Sequence, residues 1–155
     1  MRQISTLLFA LVLFFGAQAS FSQSVLTNAE KVAINGYDVV AYHKQNKAVK
    51  GTTKHQTTHQ GAKYYFSSKA HKKAFVKNPT AYLPQYGGYC AFAIAAKGQK
   101  VPVNPETFKI VDGKLYLFFN DMYQGKKMNT KVYWDKNENS NITKADSNWE
   151  SIKNK

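Results

Sequence analysis

Thr107-Phe108-Lys109-Ile110-Val111-Asp112-Gly113-Lys114-Leu115-Tyr116-Leu117-Phe118-Phe119 sets two apolar-rich runs on either side of Asp-Gly. That dipeptide readily takes the two positive-φ positions of a two-residue hairpin turn, and β-branched and aromatic flanks suit a pleated, half-buried surface. It is the strongest hairpin signal in the chain. Working back, Val39-Val40-Ala41-Tyr42 reads as a first strand after the Asn35-Gly36 turn signal. A second hairpin is predicted from a strand over 54–59, the turn Gln60-Gly61-Ala62 and the return Lys63-Tyr64-Tyr65-Phe66. A helix follows, opened by Ser67-Ser68, running to about Asn78 and stopped by Pro79, with Ala70, Ala74 and Phe75 on one face. Tyr89-Cys90-Ala91-Phe92-Ala93-Ile94-Ala95-Ala96 predicts a helix apolar all round, hence buried, and closed by Gly98. After Asn120 the pattern reads as helical, ending in a face of Ile142, Ala145, Trp149 and Ile152. The fold class is α+β: a small single domain with two β-hairpins, several short helices and a C-terminal helical segment.

The front of the chain has a different character. Met1-Arg2 is positive, Leu7 to Phe15 is continuously apolar, and Gly16-Ala17-Gln18-Ala19 offers small residues in an A-x-A arrangement. These three parts predict a secretory signal peptide over 1–22 with cleavage near Ala19, leaving a domain over 23–155. The run is shorter than the ~20 residues of a spanning helix, so no transmembrane anchor is expected in the mature chain. Export places the domain in the periplasm or outside the cell. Residues 20–28, polar and small, read as a disordered leader.

The formal charge is +13, and Arg2 is the one arginine. Specific nucleic-acid readers depend on arginine for bidentate contacts. Scattered lysines without a dense block therefore indicate a solvated cationic surface, and no nucleic-acid partner is expected. Aromatic residues make up 14% of the chain, which suits a packed domain rather than a disordered one. Cys90 is the single cysteine. It has no partner for an internal disulfide, so an oxidising compartment requires it to be buried, ligated or paired between chains.

Four motifs in order carry a family resemblance: residues 35–42, beginning Asn35-Gly36-Tyr37-Asp38; residues 61–68, ending Tyr65-Phe66-Ser67-Ser68; residues 75–82; and Tyr86-Gly87-Gly88-Tyr89-Cys90-Ala91. Together they resemble the YHS-domain family, and more narrowly its small exported bacterial members, over nearly the whole mature chain. The resemblance implies a link to transition metals, since YHS domains attached to copper-transporting ATPases are read as metal binders through paired cysteines. In this chain the positions of one such pair are Ser67 and His71, and the family's early cysteine has no counterpart. Cys90 belongs to the Gly-Gly-Tyr-Cys-Ala segment of the exported subgroup.

The candidate chemistry is correspondingly sparse. Cys90 is predicted in the first turn of its helix, where exposed N–H groups favour a thiolate and apolar neighbours oppose it. His71 falls near the third position of its helix and can coordinate a metal as a neutral imidazole. His55 and His59 share a strand face about 13 Å apart at ~3.3 Å per residue, too far for a common ion, and are expected to be exposed. Asp38 is a candidate turn cap or pocket-ordering residue. No nucleophilic triad, paired-carboxylate signature or phosphate loop is legible, so the chain reads as non-enzymatic. Two function classes follow. One is a transition-metal binder, copper or zinc, through Cys90 and His71. The other is a small-ligand or partner-binding module with an aromatic pocket of Tyr37, Tyr86 and Tyr89 over a packed Cys90.

Overall fold

The computed structural model describes residues 24–155; the signal-peptide reading lies outside them. Three antiparallel hairpins and five helices make up the described fold, in keeping with the expected α+β class. The hairpins are β1 (Thr52–His59) with β2 (Ala62–Phe66), β3 (Asn104–Val111) with β4 (Lys114–Phe118), and β5 (Asn120–Tyr123) with β6 (Lys126–Asn129). Each closes on two residues of positive φ: Gln60-Gly61, Asp112-Gly113 and Gln124-Gly125. Such turns match the right-handed twist of the strands they join. The third hairpin corrects the helical reading after Asn120. Its strands carry few apolar residues and are largely exposed, so no hydrophobic alternation announces them.

β4 organises the interior. Leu115, Tyr116, Leu117 and Phe118 are all buried, although successive strand side chains point to opposite faces. Leu115 and Leu117 join one cluster with Val39, Val40, Tyr42, Tyr64, Phe66 and Phe75. Tyr116 and Phe118 join another with Tyr86, Ile94, Trp134 and Trp149. One strand therefore serves two cores, one under the first hairpin and one under the C-terminal helices.

Val39-Val40-Ala41-Tyr42 forms not a strand but the start of helix α1 (Val39–Gln45). The Asp38 carboxylate accepts from the N–H of Val40 and Ala41, and all four residues are fully buried. An N-cap together with burial on every side overrides the β-preference of two valines and a tyrosine. The leader is also corrected over its described part: the Ser24 N–H donates to the Lys153 carbonyl and the Leu26 N–H to the Gly87 carbonyl.

The remaining helices are α2 (Lys69–Lys77), α3 (Ala91–Lys97), α4 (Lys131–Asp135) and α5 (Glu138–Ile152). Ser68 caps α2 by accepting the His71 N–H, Phe75 is its buried anchor, and Ala70, expected on that face, is exposed. α3 is not buried all round. Ala91, Ile94 and Ala95 face the core, Ala96 and Lys97 are exposed, and Gly98 ends the helix in the left-handed region. Ala145 and Trp149 anchor α5, flanked by half-buried Ile142 and Ile152, as the spacing predicts. Among the described residues no helix is long and apolar enough to cross a membrane.

His43, on α1, gives the fold a pH dependence. Desolvation is the main influence on its pKa, which lies below the ordinary histidine value. Its Nε2 is buried without a hydrogen-bond partner, and the ring meets Tyr82 edge-on. The unfolded chain therefore binds this proton more readily, and stability falls as pH drops below ~6.5 and through the lower folded-state value. Urea denaturation at pH 7 and pH 5 should show that loss, and His43→Phe should flatten it. An equal loss in both proteins would rule His43 out as its source.

Candidate functional site

Asp38 is the most heavily bonded side chain described. Its Oδ1 accepts from the N–H of Val40 (2.9 Å) and Ala41 (3.3 Å). Its Oδ2 accepts from the Ser67 N–H (2.8 Å), the Ser67 hydroxyl (2.7 Å) and His71 Nδ1 (2.7 Å). Asp38 is 0% exposed and the His71 side chain 14%. A buried carboxylate is tolerated when donors surround it. This one joins the start of α1, the end of β2 and the first turn of α2.

The arrangement also fixes the chemistry open to His71. A carboxylate accepts, so Nδ1 carries the proton and Nε2 holds the lone pair. Nε2 makes no hydrogen bond within the described residues. Metal-ligating histidines are commonly oriented this way, with a carboxylate behind the other ring nitrogen. The arrangement is not that of an activated serine. In a nucleophilic triad the serine hydroxyl donates to the imidazole nitrogen remote from the carboxylate. Here the Ser67 hydroxyl donates to Asp38 and lies 3.3 Å from the same Nδ1.

Cys90 lies elsewhere and in other company. It occupies the N-cap of α3 rather than its first turn, and it is 0% exposed. Its N–H donates to the Val101 carbonyl, and its Sγ lies 3.3 Å from Thr130 Oγ1. Thr130 donates its one hydroxyl hydrogen to the Phe119 carbonyl. The thiol is therefore the donor to Thr130, and sulfur and hydroxyl are both satisfied internally. No hydrogen bond joins Cys90 to His71, and among the described residues no three His, Cys, Asp or Glu side chains are grouped to hold a metal. One oriented imidazole nitrogen falls short of the three or four ligands of a zinc centre. The donor set does not fit a resident metal.

The other sequence candidates are dispersed as well. His55 and His59 are half-buried rather than exposed, and His59 lies edge-on to Phe75. The three tyrosines expected to form a pocket do not converge. Tyr37 donates to Glu106 beneath the Lys50 ammonium, while Tyr86 and Tyr89 pack on Trp149. Burial is the main cause that raises the pKa of Tyr86, with its bond to Asp146 adding to it.

An aromatic cleft does exist, over Cys90. It encloses about 420 Å³ between α3, the β5–β6 hairpin and α4. Phe92 and Ala93 of α3 line it together with Phe119 and with Met128 of β6. Phe92 stacks on Tyr133 with ring centroids 5.6 Å apart. Tyr123 and Tyr133 line the cleft while remaining 47% and 45% exposed. Sequence reasoning missed it because part of its lining lies in the unannounced third hairpin. Phe119, Tyr123 and Tyr133, aromatics in a stretch without regular apolar alternation, are the signal the sequence offers.

Comparison with known proteins adds a family segment. No curated protein and no solved structure matches the chain. The family model of the YHS domain matches residues 40–86, from the first turn of α1 to Tyr86. That segment contains Ser67 and His71 and stops before Cys90 and the cleft. The likeness to the YHS domain is shown over residues 40–86, a segment that supplies Val40, Tyr42, Ala62, Tyr64, Phe66 and Phe75 to the first core.

Proposed function

We propose that this protein is an exported, non-enzymatic binding domain whose ligand is a small apolar molecule held in the Cys90 cleft. The observation that carries the reading is the apolar cleft with solvent-exposed Tyr123 and Tyr133 in its lining. Its volume lies in the lower part of the ~300–1,000 Å³ range of small-molecule sites, and exposed apolar groups gathered at one place mark binding surfaces. In this reading Cys90 is a packed, satisfied thiol at the cleft floor. The neutral dye N-phenyl-1-naphthylamine should bind saturably with enhanced fluorescence, and Ala93→Trp, which fills the cleft, should weaken it at least ~10-fold. Tyr123→Ser, on the exposed hairpin, should weaken it without altering the circular dichroism. No saturable binding, or wild-type affinity in both variants, would refute the proposal.

A second reading, transition-metal handling, is supported by the carboxylate-oriented His71 and by the YHS likeness. In this form His71 Nε2 offers copper or zinc a single exchangeable contact, and Cys90 takes no part. Titration with copper(I) and zinc should then show weak binding that His71→Ala abolishes and Cys90→Ser leaves unchanged. Tight binding lost in Cys90→Ser would instead join the two residues in one site.

A further inference from the structure

We infer that the cleft takes an amphiphile with a single anionic head, such as a medium-chain carboxylate, its tail on the floor and its head at the rim. This rests on the cleft being the ligand site. The floor offers a tail no unmet polar group, because the Cys90 thiol donates to Thr130 and Thr130 donates to the Phe119 carbonyl. A buried polar head would have to break that chain, so the polar end belongs at the mouth.

The charges at the mouth favour one sign. No Asp or Glu lines the cleft, and Lys97 does. In the β5–β6 register Tyr123 pairs with Lys126 and Asp121 with Met128. Paired and alternate residues share a face, so Lys126 stands on the face of Tyr123 and Met128 that lines the cleft. Asp121 lies on that face too, at the base of the hairpin, where its carboxylate accepts the Met122 N–H. Among the described residues neither Lys97 nor Lys126 has a carboxylate partner, whereas Lys109 and Lys131 are tied to Asp135 and Glu138. Two unneutralised ammonium groups beside an apolar slot attract an anionic head, and the positive balance of the whole chain raises the local concentration of anions.

Competition against bound N-phenyl-1-naphthylamine tests this, using decanoate, decanol and decylamine below their micelle concentrations. Decanoate should compete at least ~10-fold better than decylamine and severalfold better than decanol, the size expected of two exposed charges. The double variant Lys97→Glu, Lys126→Glu alters exposed side chains only. It should erase or invert that order, with each competitor read against the variant's own affinity for the dye. If decanol matches decanoate, or decylamine surpasses it, the anionic head is refuted and the cleft reading stands. If the dye itself does not bind, both fall.

Discussion

Asp38→Ala is expected to remove about 3–5 kcal/mol of folding stability, the cost of withdrawing one member of a buried, charge-assisted network. The carboxylate accepts five hydrogen bonds, and truncation strands the N–H groups of Val40, Ala41 and Ser67, the Ser67 hydroxyl and His71 Nδ1 together. Water cannot readily replace it, because Asp38 is 0% exposed. Asp38→Asn should recover only part of the loss, since its NH₂ must face the obligatory N–H donors of either Val40 and Ala41 or Ser67, and on the latter side the Ser67 hydroxyl and His71 must reverse their roles to accept from it. Ser67→Ala, which forfeits a single hydroxyl contact, should cost about 1 kcal/mol. Against the ~5–15 kcal/mol typical of a domain, a loss of this size would bring a domain at the lower end of that range close to unfolding at room temperature. Urea denaturation gives the ranking directly. A loss under 1 kcal/mol in Asp38→Ala would mean that the network contributes little to stability.

Trp134→Ala should be comparably severe, at about 3–5 kcal/mol, a loss matching a Tm roughly 10–20 °C lower. Trp134 is fully buried and packs on Tyr116 (5.3 Å between centroids) and Phe118 (5.5 Å), the two β4 residues of the second core. Its indole N–H donates to Glu138, which is itself paired with Lys109. Removing the ring opens a void under α4, the helix that carries Tyr133 to the cleft. Trp134→Phe keeps most of the aromatic packing and should retain well over half of the lost stability. Calorimetry on both variants decides it, and equal Tm values for Phe and Ala would contradict the packing account.

The sequence and the structure part company at places with physical causes. Asp112-Gly113 and Gln60-Gly61 were legible as turns because apolar, β-branched or aromatic residues flank them. Gln124-Gly125 makes the same kind of turn, yet its strands show no alternation because neither faces a core. Val39-Val40-Ala41-Tyr42 misled because strand propensity is local, whereas the cap from Asp38 and burial on every side belong to the fold. Of the candidate site residues, Ser67 and His71 stand at the positions of one family pair, whereas Asp38 stands apart in sequence as a turn cap or pocket-ordering residue. Their meeting spans 33 residues of chain, and no spacing rule encodes it. Cys90 reads from sequence as a thiol needing shelter, but the shelter itself, Thr130 and the Phe119 carbonyl, lies 40 and 29 residues further along the chain.

By itself, then, the sequence determined what local chemistry can determine: an α+β class, two of the three hairpins, a serine cap at Ser67-Ser68 and the apolar stripe of the last helix. Turn residues, caps and periodicity act over a few residues and need no distant partner. Only the tertiary structure decided that β4 divides the interior into two cores, that Asp38 locks His71, and that a cleft opens over Cys90. Those features arise from side chains far apart in sequence, and their energy exists only once the chain has closed around them.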